Sequence, residues 1–232
     1  MMIKELKKIP YLELSDDKIS KLDEYMSITL SENEHVNLTR NDSPDSFIVK
    51  NILDSLLAVK HYDFNKKTVL DIGSGAGFPG IPLAIYFPKT KFVLLEPTFK
   101  RAAFLAMVCD KLELNNVKVV AKRAEDYVKE GNYEKFDIVT SRAVSQLNIL
   151  LELSIPFLKV NGTMIAYKGL NYQEEINLSK NALKTLNSTI KNVYVDTLDF
   201  INETRYSVEI IKNKSSNRKY PSLYKDIKKR PL

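Results

Sequence analysis

Four of the seven glycines in this 232-residue chain lie within eight positions, between residues 73 and 80. Each glycine costs backbone entropy on folding, so such a cluster indicates turns with positive φ or a ligand held close to the main chain. The apolar run 68–72 before it is typical of a buried strand, and residues 81–87 after it begin a predicted helix. A strand, a glycine turn and a helix in this order predict a small-molecule site.

The pattern of strands and helices continues beyond the glycines. Five predicted strands, each followed by a predicted helix, occupy residues 68–72, 91–96, 117–121, 136–141 and 162–168. Parallel strands need crossover helices, so this alternation predicts an α/β fold with a mostly parallel, Rossmann-like sheet covered by helices on both faces. Two last strands, at 193–200 and 205–213, are separated by a short loop, which predicts an antiparallel last strand.

The first 65 residues lack this alternation. Apolar residues recur at helical spacing over 15–30 and 43–60, and the segment 32–42 between them is predicted to be a loop. An N-terminal helical cap packed on the same domain is therefore expected. The predicted organisation is a cap at 1–65, a cofactor-binding domain at 66–212 and a basic tail at 213–232.

Positive charge is concentrated at the carboxyl end of the chain. The whole chain carries a formal net charge of +6, and residues 212–232 hold eight lysines or arginines and one acid. Such a segment commonly contacts phosphates through counterion release, although a tail that only improves solubility is the alternative. The single cysteine, Cys109, cannot form an internal disulfide, and no apolar run is long enough to span a bilayer. These features predict a cytoplasmic protein without a membrane contact.

The start of the helix after the glycine loop is more crowded than in a dinucleotide-binding turn. The loop reads G-x-G-x-G, and Phe78 and Pro79 crowd the helix start that a pyrophosphate needs. Gly73 and Gly75 are therefore predicted to face a ligand with an uncharged or zwitterionic body. Asp71, at the end of the first strand, is expected either to bind a cation such as an amino group or to accept hydrogen bonds from the loop amides.

Residues after the second and third strands complete a predicted nucleoside site. Glu96 ends the second strand, where a carboxylate can accept both ribose hydroxyls, with a solvated strand end as the alternative. Ala124 and Glu125 follow the third strand, where an amide and a carboxylate can bind adenine, or where Glu125 simply favours a helix start. The three loops together indicate an adenosine-containing ligand without a demanding phosphate site, and S-adenosylmethionine fits that description.

Several motifs resemble a known bacterial family. The stretches LDIGSGAGFPGIPLAI, LLEPTFKRAAFL, AKRAEDY and DIVTSRAV, with VNLTR and KNILDSL nearer the amino terminus, are similar to the small-subunit rRNA guanine-N7 methyltransferase G family, also called glucose-inhibited division protein B. The resemblance is close over about residues 30–170. It implies a class I S-adenosylmethionine-dependent methyltransferase fold, S-adenosylmethionine as cofactor, and N7 of a guanine in 16S rRNA as the methyl acceptor.

The resemblance also implies roles for individual residues. Gly73 and Phe78 would line the cofactor site, and Ala124 and Glu125 would hold the adenine. Arg142 would line the junction between the cofactor and the target base.

The RNA-binding surface rests on weaker signals. Basic residues near predicted strand ends and in the tail are candidates for RNA contacts: Lys100, Arg101, Arg123, Lys168 and Lys219. Solvation alone is the alternative for each of them. Two positions depart from the family pattern, because Asn51 stands where histidine is common and Ser222 where a basic residue is usual. Both departures are expected to alter contacts on the RNA face and not the reaction.

Methylation at guanine N7 needs no prior removal of a proton, because N7 carries an available lone pair. Positioning and electrostatics are therefore expected to suffice, with Arg142 as the catalytic residue in that sense and no general base. An ion pair with a strand-end acid is the alternative for Arg142. Cys109 lies inside a predicted helix and is interpreted as a small buried residue, and no metal site is predicted.

Two other functions remain open on the sequence alone. An NAD(P)-dependent oxidoreductase shares the strand–turn–helix start, although Phe78 and Pro79 crowd the helix start that its pyrophosphate needs. A non-catalytic RNA-binding module with a vestigial cofactor loop is the second alternative. The expected partner is 16S rRNA or the small ribosomal subunit, and the chain is expected to act as a monomer.

Overall fold

The computed structural model describes residues 3–40 and 43–232 of the chain. Within these residues, seven strands form one sheet in the order β3-β2-β1-β4-β5-β7-β6. The strands are β1 (Thr68–Ile72), β2 (Lys91–Leu95), β3 (Val117–Val120), β4 (Phe136–Arg142), β5 (Leu158–Lys168), β6 (Ser188–Leu198) and β7 (Glu203–Lys212).

The central strand β1 pairs in parallel with β2 on one side and with β4 on the other. β3 and β5 extend the parallel part, whereas β7 pairs antiparallel with both β5 and β6. The predicted mostly parallel sheet with an antiparallel closing strand is thus confirmed. The strand order reverses between β1 and β4, and ligands in open α/β sheets bind in the crevice beyond the carboxyl ends of such strands.

Helices cover both faces of the sheet. In the described part of the chain they are α1 (Asp16–Val36), α2 (the helical run 44–60), α3 (Gly80–Tyr86), α4 (Phe99–Lys111), α5 (Ala124–Tyr127), α6 (Leu147–Ser154), α7 (Tyr172–Leu178), α8 (Lys180–Thr185) and α9 (Tyr224–Lys229). The run α2 is π-helical at Ile48–Leu53 and ends in a 3-10 turn at Leu57–Lys60. None of the helices described is both long and apolar enough to cross a membrane.

Two helices end earlier than their sequence patterns predict. The predicted helix over 145–158 ends as an α-helix at Ser154, and Leu158 already begins β5. The predicted helix over 171–187 is divided at Ser179, whose hydroxyl donates to the Glu175 carbonyl at 2.6 Å. A continuous apolar run does not by itself distinguish a helix end from a strand start, which explains the first difference.

The first long helix extends further than predicted. α1 begins after Ser15, whose hydroxyl accepts a hydrogen bond from the Lys18 amide, and it ends where Asn37 adopts a left-handed conformation. The structure therefore replaces the first part of the predicted loop over 32–42 with helix. The last two positions of that predicted loop, Asn41 and Asp42, lie outside the described residues.

Apolar side chains of the cap and of one sheet face form a single cluster. Leu22 and Tyr25 of α1 belong to it together with Phe104 and Leu105 of α4. The Tyr25 hydroxyl also donates to the Ala76 carbonyl in the glycine loop at 2.6 Å. A fully buried tyrosine therefore links the cap directly to the loop that the sequence assigns to the cofactor.

The basic carboxyl-terminal segment is packed on the domain and does not extend as a free arm. Ile227 is only 1% exposed, and Tyr220 is also buried. Lys212, counted with the tail on sequence grounds, is fully buried and forms an ion pair with Glu134 at 2.9 Å. Its ammonium group also donates to two carbonyls, those of Ile155 and Leu158. Lys212 therefore stabilises the fold.

Candidate active site

The glycine loop turns tightly at the end of β1. Gly73 has a φ of +68°, in the left-handed region, and its amide donates to the Leu95 carbonyl at 2.8 Å. A Cβ atom on Gly73 would lie 2.5 Å from Val144 Cγ2. Any side chain here would combine backbone strain with a collision, so glycine at this position allows Val144 to pack against the loop.

Glu96 holds the glycine loop against the end of β2. The side chain is 3% exposed, its Oε2 accepts from the Gly75 amide at 2.9 Å, and its Oε1 accepts from the Thr98 amide at 2.8 Å. Each carboxylate oxygen can accept a second hydrogen bond. Binding of ribose hydroxyls by Glu96 therefore stays a prediction, and loop positioning is a role that sequence reasoning did not include.

Asp71 lies beneath the same loop and is fully buried. Its Oδ1 accepts from the Thr140 hydroxyl of β4 at 2.9 Å. Burial raises the pKa of this carboxyl to about 6, against the smaller lowering effects of Thr140, Ser74, the Gly80 amide and Arg142. Of the two roles expected for Asp71, its contacts fit that of a hydrogen-bond acceptor better than that of a cation ligand. Its main partner is the hydroxyl of Thr140 on β4.

Replacing Asp71 with asparagine is expected to stabilise the apo protein at neutral pH. The pKa of the Asp71 carboxyl is higher in the folded protein than in the unfolded chain. Between about pH 4 and about pH 6 only the unfolded state has released the proton, so the free energy of unfolding falls as pH rises through this range. The variant cannot ionise and should gain about 2 kcal/mol at pH 8 and little at pH 4, measured by urea unfolding at both values.

Asp137→Asn is the matched control for this experiment. Burial raises the pKa of Asp137, but hydrogen bonds from Lys159 and Thr68 outweigh burial and lower it overall. This variant should therefore lose stability at pH 8 and approach the native protein at low pH. A gain for Asp71→Asn that is equal at both pH values would show that its ionisation is not the cause.

A small cleft of about 190 Å³ opens beyond the tips of β1 and β2. Its lining residues come from the glycine loop, the ends of the strands, α5, α6 and the carboxyl-terminal segment: Ile72, Gly73, Leu95, Pro97, Lys122, Arg123, Ala124, Glu125, Val144, Leu153 and Tyr224. Ala124 and Glu125 are buried at its base. Three of the predicted cofactor residues, Gly73, Ala124 and Glu125, are therefore brought together in one cleft.

Phe78 lies away from the lining of this cleft. Its ring packs in an aromatic cluster of the cap, with ring centroids 5.6 Å from Tyr25 and 5.4 Å from Phe47. The guanidinium of Arg142 lies 4.8 Å from the Phe78 ring centroid. The ring thus packs with the cap, and a contact between Phe78 and the cofactor stays a prediction.

Arg142 connects the end of β4 with the cap. Its Nη1 donates to Asp54 Oδ2 at 2.6 Å and to the Lys50 carbonyl at 2.9 Å, and its Nη2 donates to Asn51 Oδ1 at 2.9 Å. Arg142 does form an ion pair, but the acid comes from the cap and not from a strand end. Asn51 is 2% exposed and lines the larger cleft beside Arg142, so its place on an RNA face stays a prediction.

A larger cleft of about 450 Å³ lies beside Arg142, between the cap and the start of β7. Asp54 accepts from Arg142 and also pairs with Arg205 Nε at 3.1 Å. Glu203 pairs with Lys50 at 2.7 Å and with Arg205 at 2.8 Å. With Lys168, the lining contains four basic and two acidic residues, a balance that favours a polyanionic partner.

The end of β4 separates the two clefts. Arg142 and Ala143 line the larger cleft, and Val144 lines the smaller one. Ala143 has a left-handed φ of +57°, which turns the chain between the two cavities. A group bound in the small cleft and a base bound in the large one would therefore meet across residues 142–144.

The predicted RNA-binding residues differ in their availability. Lys168 is 6% exposed in its side chain and is paired with Glu175 at 2.6 Å, so an RNA contact would require this ion pair to open. Lys100, Arg123 and Lys219 are exposed, and Arg101 is half-buried. The exposed residues are available for phosphate contacts, and their role stays a prediction.

Other chemistries find no support in the described residues. Burial raises the pKa of the Cys109 thiol to about 12, which makes it a poor nucleophile. Residues 3–40 and 43–232 contain no group of histidine, cysteine and acidic residues placed to hold a metal ion.

Sequence reasoning missed three residues that help to build the clefts. Asp54 and Arg205 define the charge of the larger cleft, and Tyr224 forms a wall of the smaller one. An acid in a predicted cap helix and a tyrosine in a basic tail have no local pattern that marks them. Only the folded chain shows their proximity to Arg142 and Glu125.

The sheet order, the glycine loop and the cleft at the strand tips define a class I S-adenosylmethionine-dependent methyltransferase fold. The chain is similar to the O-methyltransferase from Bacillus cereus in complex with SAH, with a TM-score of 0.60, 18% identity, and coverage of 90% of this chain and 96% of that one. It is also similar to a SAM dependent methyltransferase from Aquifex aeolicus, with a TM-score of 0.55, 18% identity, and coverage of 76% and 97%.

Sequence comparison identifies the family. Residues 18–199 match the family described as rRNA small subunit methyltransferase G. The Ribosomal RNA small subunit methyltransferase G of Fusobacterium nucleatum is 43% identical over 217 residues, covering 94% of this chain and 93% of the relative. That of Clostridium perfringens strain 13 is 39% identical over 223 residues, covering 95% and 93%. The chain belongs to the rRNA small subunit methyltransferase G family, and its cofactor is S-adenosylmethionine.

These findings confirm the predicted family and cofactor and favour a methyltransferase over the oxidoreductase alternative. The described residues also fit the cofactor, because Gly73 of the glycine loop lines one cleft together with the buried residues Ala124 and Glu125. When bound, S-adenosylmethionine supplies a methyl group activated by a positively charged sulfur.

Proposed function

We propose that this protein transfers the methyl group of S-adenosylmethionine to N7 of a guanine in 16S rRNA. The observation that carries the proposal is the pair of clefts that meet at residues 142–144, in a chain of this family. The smaller cleft has the size and lining for an adenosine group, and the larger one has excess positive charge. A nucleotide presented at the larger cleft lies next to the cofactor.

Orientation is the main task of the residues around the larger cleft. Transfer to N7 moves a positive charge from the sulfur to the guanine ring, so no proton has to leave the base. Arg142 donates from a fixed position, since Asp54 and Asn51 hold its guanidinium and Phe78 lies against it. It can orient the base through O6 or an adjacent phosphate while N7 stays free for the methyl group.

Methyl transfer to 16S rRNA that lacks the modification tests the proposal. Purified protein would be incubated with tritiated S-adenosylmethionine and either naked 16S rRNA or assembled small subunits. N7-methylguanosine is detected by borohydride reduction and aniline cleavage, which break the chain at that nucleotide. Label in the RNA without such cleavage would place the methyl on another atom, and RNA binding without label would support the non-catalytic alternative.

Neutralising the exposed lysines of the tail is expected to weaken RNA binding and its salt dependence. Lys225, Lys228 and Lys229 are exposed on the docked tail, so replacing all three with alanine removes charge without removing the packed residues. The slope of log affinity against log salt should fall by about 2. The measurement is filter binding to an rRNA fragment between low and moderate salt.

The matched control replaces Lys67, Lys89 and Lys91 with alanine. These exposed lysines lie at the amino ends of β1 and β2, on the opposite edge of the sheet from the clefts. Equal slopes for both triple variants would mean that the tail has no specific RNA contact. Deleting 213–232 altogether is less informative, because the docked tail also covers buried residues of the domain.

We further infer that the protein acts as a cytoplasmic monomer with 16S rRNA or the small subunit as partner, and that its organisation is a cap at 1–65, a cofactor-binding domain at 66–212 and the tail at 213–232. The absence of a membrane-crossing helix among the described residues agrees with this localisation. Light scattering after gel filtration measures the oligomeric state directly.

A further inference from the structure

The carboxyl-terminal segment forms one side of the small cleft. Tyr224, the first residue of α9, lines the cleft together with Gly73 and Glu125. Its backbone amide donates to Glu125 Oε1 at 3.1 Å. The guanidinium of Arg123, which also lines the cleft, lies 5.9 Å from the centroid of the Tyr224 ring.

The segment is held in place by contacts outside the cleft. Ile227 and Tyr220 are buried in the apolar cluster on this face of the sheet, together with residues of α6. The Ser222 amide donates to Glu152 Oε1 at 2.9 Å, and Glu152 is itself buried. Tyr224 therefore lies in a docked segment, with the buried Tyr220 before it and the buried Ile227 after it.

We propose that the carboxyl-terminal segment contributes Tyr224 to the cofactor site and that the Tyr224 ring packs against the adenine of bound S-adenosylmethionine. The Tyr224 amide occupies one oxygen of Glu125, so the second oxygen of this carboxylate is left to accept from the exocyclic amine of adenine. A planar aromatic ring next to that carboxylate provides a stacking surface and excludes water from the base.

This inference depends on the cofactor and not on the RNA target. It changes the interpretation of the tail, whose basic composition predicted an RNA-binding arm. The lysines of the segment are exposed, whereas Tyr220 and Ile227 face inward and Tyr224 lines the cleft. One segment thus presents charge to the solvent and an aromatic ring to the cofactor.

Binding of S-adenosylhomocysteine and of 5′-methylthioadenosine, measured by calorimetry without RNA, tests the proposal. Tyr224→Ala should weaken binding of both compounds by about tenfold or more and by the same factor, because both carry the adenine. Tyr224→Phe should stay within about twofold of the native affinity if the ring and not the hydroxyl makes the contact. Lys225→Ala, at the adjacent exposed position, is the matched control and should bind as the native protein does.

Three outcomes overturn the proposal. Native affinity in Tyr224→Ala, with an unchanged unfolding midpoint, would remove Tyr224 from the site. A loss for S-adenosylhomocysteine alone would place the contact at the methionyl part. An equal loss in Lys225→Ala would indicate a general effect on the tail.

Fluorescence offers a second measurement that does not require truncation of the side chain. The chain contains no tryptophan, so Tyr224→Trp introduces a single indole at the cleft. Its emission should change on addition of S-adenosylhomocysteine, whereas that of Leu223→Trp, at the adjacent exposed position, should not. Equal responses from both variants, or none from Tyr224→Trp, contradict the proposal. None of these readouts involves methyl transfer, so failure of the guanine-N7 proposal would leave them unaffected.

Discussion

Replacing Arg142 with alanine is expected to reduce methyl transfer by about 100-fold or more while changing the affinity for S-adenosylhomocysteine much less. The guanidinium belongs to the larger cleft and the smaller cleft does not include it. Its removal takes away the group that orients the base, and small misplacements of reacting groups lower the rate by about this 100-fold factor. Single-turnover transfer to unmodified rRNA and calorimetric binding separate the two effects.

The same substitution should also lower the free energy of unfolding, by about 2 kcal/mol. Asp54 is buried and keeps only Arg205 as a charged partner once Arg142 is absent. Arg142→Lys retains the charge but not the two-sided contact with Asp54 and Asn51, so it should recover stability better than rate.

Arg218→Ala is the matched control for Arg142. Arg218 is exposed and lies over the ring of Tyr133, away from both clefts, so its loss removes the same charge without affecting the site. Equal losses of cofactor affinity and of transfer in Arg142→Ala would place Arg142 in the cofactor site and contradict its assignment to the base.

Gly77→Ala is expected to lower the free energy of unfolding by about 3 kcal/mol or more. Gly77 has a φ of +108°, and its Cβ would lie 2.6 Å from Ile81 Cγ1, 2.9 Å from the Tyr25 hydroxyl and 3.1 Å from Leu105. All three neighbours are fully buried. The glycine loop would have to move away from the cap, so cofactor affinity should fall as well, measured on the fraction that remains folded.

Gly131→Ala separates the cost of the backbone conformation from the cost of the steric collision in that loss of stability. Gly131 also has a positive φ, +86°, but a Cβ there meets no atom within 4 Å. Its substitution should therefore show the cost of backbone conformation alone, about 1 kcal/mol. If Gly77→Ala were no more destabilising than Gly131→Ala, close packing between the loop and the cap would not be the reason for glycine at position 77.

The sequence allows the sheet and the position of the cofactor loop to be predicted, because both depend on local patterns. Alternating strands and helices specify a parallel sheet, and a short loop between the last two strands specifies an antiparallel end. Gly73 follows β1, and Ala124 and Glu125 follow β3, on the other side of β2, so the parallel fold places all three at one edge of the sheet. Their meeting in one cleft follows directly from the strand order.

Contacts between distant parts of the chain could not be predicted in this way. Arg142 is 88 residues from Asp54, and Glu125 is 99 residues from Tyr224. Each pair is brought together by the burial of apolar residues nearby. For Tyr224, the basic composition of the tail hides the apolar residues that bury it. Burial depends on the partner that covers a residue, so the sequence could not show that Asn51 and Lys212 are buried.

The shared core of cap and sheet has a consequence for how the chain is made. The ribosome releases α1 well before α4, yet the apolar cluster that contains Leu22 and Tyr25 is complete only when Phe104 and Leu105 have emerged. Isolated helices are marginal in water, so the newly made amino-terminal segment exposes part of its apolar face until residues well beyond β1, which begins at position 68, have been made. Translation that halts in this interval leaves a fragment that is prone to aggregate.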